Sequence, residues 1–112
     1  MDQLVRETKQ LISAEYARAS MNFGPINNSD HESYSIILEE LQEALEEGHN
    51  CAVDLEEFWR LSKYKRGSDQ DKLSSLDCLF THALLAACEF IQVAAMAHKA
   101  ELTIRERRNE SC

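Results

Sequence analysis

Glutamates at helical spacing are the first residues in this chain that could do chemistry. Glu39, Glu40 and Glu43 follow Ile36 by three, four and seven positions, so one helix would place them in one row. An acidic helix face is ordinarily solvated, but the aliphatic Ile36 within the row indicates that part of this face contacts protein. Carboxylates in a partly covered row repel one another, and a divalent ion with hard oxygen ligands relieves that repulsion. We therefore predict an Mg²⁺ site here, with Mn²⁺ as the other candidate ion.

A single acid, Glu89, lies in a segment that is otherwise almost entirely apolar, residues 78–97. Burying a lone carboxylate is costly, so Glu89 should be paired with a lysine or arginine, protonated, or bound to a metal. Gln92 follows one helical turn later, and His82 precedes Glu89 by seven residues. We expect His82 to be a hydrogen-bonded packing residue rather than a metal ligand.

The elements that must position these residues are predicted to be helices of one domain, 1–112. The chain has 112 residues with only three Gly and one Pro, a composition typical of helices rather than of a loop-rich sandwich. Chain breaks are expected at Gly24-Pro25, at Gly48 and at Gly67-Ser68, and a capping box at Ser29–Glu32 predicts a helix start. We predict an all-α helical bundle with main helices over about 2–20, 29–47 and 69–108. A short inserted helix is expected within 50–66.

Charge, cysteine content and hydropathy restrict the partners and the compartment. The net charge of −8 argues against a nucleic-acid partner, because neutralising phosphates requires clustered Lys and Arg. Four scattered cysteines indicate reduced thiols, and the charged, amphipathic start of the chain is not expected to be a signal peptide. We therefore predict a cytoplasmic protein. Residues 80–97 are apolar enough for a membrane span, but Glu89 within them favours a soluble helix and no membrane partner.

The same apolar segment predicts self-association. A helix that is hydrophobic on all sides must be covered on all sides, and a chain with so few helices can hardly do this alone. We therefore expect a homo-oligomer, either a homodimer or a homotetramer, whose interface includes residues 78–97.

The two acidic segments together resemble a known motif pair. Residues 39–43 read EExxE, and Glu89-Phe90-Ile91-Gln92 is similar to ExxD with its last acid replaced. The opening His31-Glu32-Ser33-Tyr34 and the run ACEFIQVAAM at 87–96 are similar to those of small MazG-like proteins of phages and Gram-positive bacteria. The chain thus resembles, over most of 23–100, the all-α nucleoside triphosphate pyrophosphohydrolases of the MazG and dimeric dUTPase superfamily.

The resemblance implies a function and a set of site residues. The implied reaction is Mg²⁺-dependent hydrolysis of a nucleoside triphosphate to the monophosphate and pyrophosphate. Glu39, Glu43, Glu89 and Gln92 would hold the metal, and Glu40 would be a further ligand or the base that orients water. Gln92 stands where the family has Asp, which removes one negative charge and leaves a catalytically degenerate binding or assembly module as the alternative. An unrelated helical adaptor is a third interpretation.

Three other side chains are weaker candidates for contacts with a nucleotide. Lys99 lies about two turns after Gln92 and could neutralise a phosphate, although we expect it to be a surface lysine. Phe23 or Trp59 could stack on a base, although aromatic residues in a small domain usually belong to its core.

Overall fold

The computed structural model describes residues 1–64 and 67–110, which form three helices and no strand. These are α1 (Asp2–Phe23), α2 (Asp30–Lys63) and α3 (Asp69–Glu110). The predicted all-α class is confirmed. The chain divides into two compact units, the first made of Met1–Leu41 with the described residues from Glu89 onward, and the second of Gln42–Cys88.

The break between α1 and α2 lies where the sequence predicts it. Gly24 ends α1 with a positive φ of 90°, and its amide donates to the Ser20 carbonyl at 2.9 Å. Ser29 caps α2, because its Oγ accepts the Glu32 amide at 3.1 Å. The Glu32 carboxylate accepts a bond from the Asn28 side chain at 3.1 Å. The expected capping residue is therefore confirmed.

The predicted break at Gly48 and the short inserted helix within 50–66 are wrong. The second helix runs without interruption through Gly48 to Lys63; Arg66, the last residue of that predicted segment, lies outside the described residues. A glycine within a helix costs about 1 kcal/mol, which continuous packing on both sides offsets. The inward positions keep one spacing of three and four residues across the glycine: Ala44, Glu47, Cys51, Asp54, Phe58 and Leu61.

The long third helix is confirmed, and it begins with a reciprocal cap. Ser68 Oγ accepts the Asp71 amide and Asp71 accepts the Ser68 amide, both at 3.1 Å. Among the described residues, α3 alone is long and apolar enough to cross a membrane, and 11% of its apolar window is buried; such a helix is weak evidence of a span. The cysteines at 51, 78 and 88 are free thiols, and Cys112 lies outside the described residues.

A buried polar cluster fixes the connection between α1 and α2 against α3 in the first unit. The Asn27 amide donates to Thr103 Oγ1 at 2.9 Å, and the Asn27 side chain donates to Ser33 Oγ at 2.7 Å. The Thr103 hydroxyl in turn donates to the Lys99 carbonyl at 2.8 Å. Because these residues are buried, the cluster holds the start of α2 in register with the second half of α3.

Candidate functional site

The two half-buried carboxylates of the first unit come together. A carboxylate oxygen of Glu40, from α2, lies within 4.8 Å of one of Glu89, from α3. No lysine or arginine of residues 1–64 and 67–110 forms an ion pair with Glu89. Of the three expected environments of Glu89, the described part of the chain therefore excludes pairing with a basic residue.

Gln92 bridges these two acids. Both of its neighbours are acceptors, so its amide presents nitrogen, which donates to Glu40 Oε2 at 2.6 Å and to Glu89 Oε2 at 3.2 Å. Rotation of the amide by half a turn would present Oε1 at the same position. The site can therefore hold itself together with two hydrogen bonds, or offer three hard oxygen ligands to a cation.

The other two predicted ligands are less enclosed. Glu39 is exposed and does not belong to the group of acids that could share an ion. Glu43 is also exposed; it follows Glu40 by one turn on the same face of α2, and it belongs to the second unit. The geometry thus favours Glu40 over Glu39 as the α2 ligand.

A cavity of about 440 Å³ lies beside the acids, entirely within the first unit. Glu40 and Gln92 line one part of it, and Ile36 lines it too, which confirms that this face of α2 contacts protein. The aromatic Phe23, 77% exposed, stands at the same cavity with Met96. Of the two aromatic candidates for stacking on a base, Phe23 is therefore at the cavity, and Trp59 is not among the residues that line it.

Lys99 supplies a positive charge to this cavity. Its side chain lines the cavity, the residue is only 4% exposed, and none of the described residues forms a hydrogen bond or ion pair with its ammonium. The expectation of a surface lysine is wrong, because the helix face that carries Gln92 and Met96 continues inward through residue 99. The stem of this side chain is buried, and an ammonium that reaches the cavity can pair with an anion bound there.

Arg18 is a cavity residue that the sequence reasoning missed. Its guanidinium makes a bidentate ion pair with Glu15, at 2.5 and 3.0 Å. Hydrogen bonding to that carboxylate raises the pKa of Arg18 and lowers the pKa of Glu15. The spacing of three residues between an acid and an arginine on α1 was the available signal.

The cavity wall has more acids than bases. Glu15, Glu32 and Glu40 face Arg18 and Lys99, and Glu89 adds a further carboxylate nearby. A polyphosphate entering this space would meet net repulsion unless a divalent cation came with it. The donor set, carboxylates with one amide oxygen, suits Mg²⁺ or Mn²⁺.

His82 lies in the second unit, where it is hydrogen-bonded as expected. Its Nδ1 is 2.5 Å from Asp54 Oδ2. This hydrogen bond is the main reason that the pKa of His82 is raised, and the charge of Glu47 adds to it. The pair joins α2 to α3 and has no part in the cavity.

Compared with protein-family models, curated proteins and solved structures, the chain matches none of them.

Proposed function

We propose that this protein is a cytoplasmic, Mg²⁺-dependent nucleoside triphosphate pyrophosphohydrolase of the kind that the MazG-like resemblance implies. The observation that carries the proposal is the pairing of Glu40 with Glu89 beside a cavity that the side chain of Lys99 also lines. A metal–triphosphate ligand requires carboxylates that bind the metal ion and a basic group that binds a phosphate, and residues of both kinds line this cavity.

The position of each residue indicates the role that it would have in metal binding and hydrolysis. Glu40 and Glu89 would hold Mg²⁺, with Glu43 as a further ligand and Gln92 coordinating through its amide oxygen. Mg²⁺ bound there would neutralise triphosphate charge and lower the pKa of a bound water. Of the carboxylates that would hold the metal, Glu40 is the one that also lines the cavity, and it would orient the attacking water.

The remaining cavity residues would bind the nucleotide. The Lys99 ammonium would pair with a phosphate oxygen in the cavity that its side chain lines. Phe23, exposed at the cavity, would stack on the base. Hydrolysis then consumes one water and yields a nucleoside monophosphate and pyrophosphate.

The second candidate function is nucleotide binding without hydrolysis. It is favoured by the Gln92 amide, which satisfies Glu40 and Glu89 together without any cation. In this case the two hydrogen bonds from Gln92 would compete with metal binding, and the cavity would bind a nucleotide without hydrolysing it.

The test is hydrolysis of a panel of canonical and modified nucleoside triphosphates with Mg²⁺ or Mn²⁺. We expect monophosphate and pyrophosphate from at least one of them, loss of turnover in Glu89→Gln, and retention in the matched control Glu39→Gln, whose side chain is exposed. If none of these nucleoside triphosphates is hydrolysed, the proposed hydrolase activity is wrong. Lys99-dependent nucleotide binding without turnover would then support the second candidate.

A further inference from the structure

Glu15 lines the cavity of the first unit, and the proposed function gives it no role. Glu15, Ala19 and Phe23 follow one another at intervals of four residues along α1, so they form one row on that helix, and all three line the cavity. Ala19 is small and buried, and its size leaves space between the other two side chains. The row therefore has an aromatic ring at one end and a carboxylate at the other.

The ion pair between Glu15 and Arg18 covers the carboxylate and leaves the guanidinium exposed. A bidentate pair with the same spacing, Glu57 with Arg60, lies in the second unit. There the two side chains are almost equally exposed, at 45% and 46%, whereas the Glu15 side chain is 20% exposed and the Arg18 side chain 57%. In α1 the carboxylate is therefore the group that the pair turns inward, and it does so at the wall of the cavity.

The Glu15 carboxylate can accept further hydrogen bonds from a ligand. Arg18 donates one bond to each carboxylate oxygen, at 2.5 and 3.0 Å, and each oxygen has a second lone pair. Hydrogen bonding to Arg18 also lowers the pKa of Glu15, so at neutral pH the group is ionised and can only accept. The matching ligand group is a hydrogen-bond donor, and a phosphate, which is anionic, would be repelled here.

Glu15 lies on the side of Phe23 that leads toward the proposed metal ligands. Residues 24–29 connect α1 to α2, so moving back along α1 and forward along α2 leads away from this connection in both helices. On α1 this movement passes from Phe23 to Glu15, which is eight residues, or about 12 Å along the helix axis. On α2 the same number of residues leads from Glu32 to Glu40. A nucleotide with its base at Phe23 and its phosphates near Glu40 therefore has its sugar on the Glu15 side of the base.

We propose that Glu15 binds the sugar hydroxyls of the nucleotide and makes the protein selective for ribonucleoside over 2′-deoxyribonucleoside triphosphates. The assignment rests on the proposed function, from which it takes the ligand. A ribose offers two neighbouring hydroxyl donors, which match the two oxygens of one carboxylate, whereas a 2′-deoxyribose offers one. Arg18 is a positioning residue, because it acts through the carboxylate that it holds.

The experiment is calorimetry with the non-hydrolysable α,β-methylene analogues of ATP, GTP, CTP and UTP and their 2′-deoxy counterparts, in Mg²⁺. Each pair differs only in the 2′-hydroxyl, and binding requires no turnover. For the pair that binds most tightly, we expect the wild type to prefer the ribonucleotide at least about tenfold, as one hydrogen bond to a charged group provides. Glu15→Ala should bring the ratio of the two affinities close to one, and Arg18→Gln should lower it as well.

Glu57→Ala is the matched control, because it breaks the same kind of ion pair in the second unit, at a residue that does not line the cavity. It should keep the wild-type ratio, and circular dichroism reports the folding of each variant. The wild-type comparison needs no variant, and equal affinities or a preference for the 2′-deoxy analogue overturn the assignment.

Two outcomes separate this assignment from the proposed function. If Glu15→Ala folds and keeps the wild-type ratio, or changes only the preference among bases, the assignment to the sugar is wrong and nucleotide binding stands. If the wild type binds none of the analogues, the proposed function is wrong, and the sugar assignment falls with it.

Discussion

Replacing Gln92 with leucine should expose the repulsion between the two acids that it bridges. The substitution keeps the volume but removes two hydrogen bonds to carboxylates, at 2.6 and 3.2 Å. Such bonds contribute about 1.5–3 kcal/mol each, and the lower value applies because Glu40 and Glu89 are only half-buried. Offset by about 1 kcal/mol of added apolar burial, the loss is about 2 kcal/mol. For a chain of this size it corresponds to about 8 °C in melting temperature.

Thermal melts in chelator and in millimolar Mg²⁺ measure this effect. We expect Mg²⁺ to recover part of the loss, because a cation between the acids replaces the missing donors. Gln70→Leu is the matched control: Gln70 is exposed in the first turn of the same helix, and its replacement should change the melting temperature by no more than a degree or two. A Gln92→Leu protein as stable as the wild type in chelator would refute the bridging role.

Three further changes test other parts of the structure. Asp54 raises the pKa of His82 in the folded protein. The pair therefore stabilises the fold below about pH 6.5, and this contribution is lost as the pH rises through the folded pKa. Thermal melts should show a smaller fall in melting temperature between pH 6 and pH 8 for His82→Gln than for the wild type. Thr103→Val removes a buried acceptor and should cost about 1–3 kcal/mol in urea titrations, whereas the exposed Thr81→Val should cost at most about 0.5 kcal/mol. Lys99→Met should change the stability little, because methionine keeps the buried apolar part of the side chain, and should weaken binding of a non-hydrolysable nucleotide at least tenfold in calorimetry.

The helix boundaries show which features of the fold local sequence can determine. The break at Gly24-Pro25 and the cap at Ser29 depend on neighbours in the chain, and both were predictable. Gly48 is the same residue type as Gly24, yet it lies inside α2. The difference comes from the inward residues on both sides of Gly48, which pack against α3 and keep the helix continuous.

The residue types of the candidate site were predictable from the sequence, but the rotation of α2 about its own axis was not. The acidic spacing on α2 predicts which turn of that helix carries the candidate ligands, but Glu39 and Glu40 differ by 100° about the helix axis, and packing against α3 decides which of them faces Glu89. The burial of Lys99 could have been found by extending the spacing of three and four residues from Glu89 through Gln92 and Met96. Its position in that row places it on the inward side of α3.

The metal site is tested most directly in a crystal of the protein that is soaked in Mn²⁺ and measured at the manganese absorption edge. We predict one anomalous peak between the carboxylates of Glu40 and Glu89, with the Gln92 amide turned to present its oxygen. Its loss in Glu89→Gln and its persistence in Glu39→Gln would assign the ligands. The absence of a peak there in the wild type at saturating Mn²⁺, with Gln92 still bonded to both acids, would contradict the metal site and the hydrolysis that depends on it.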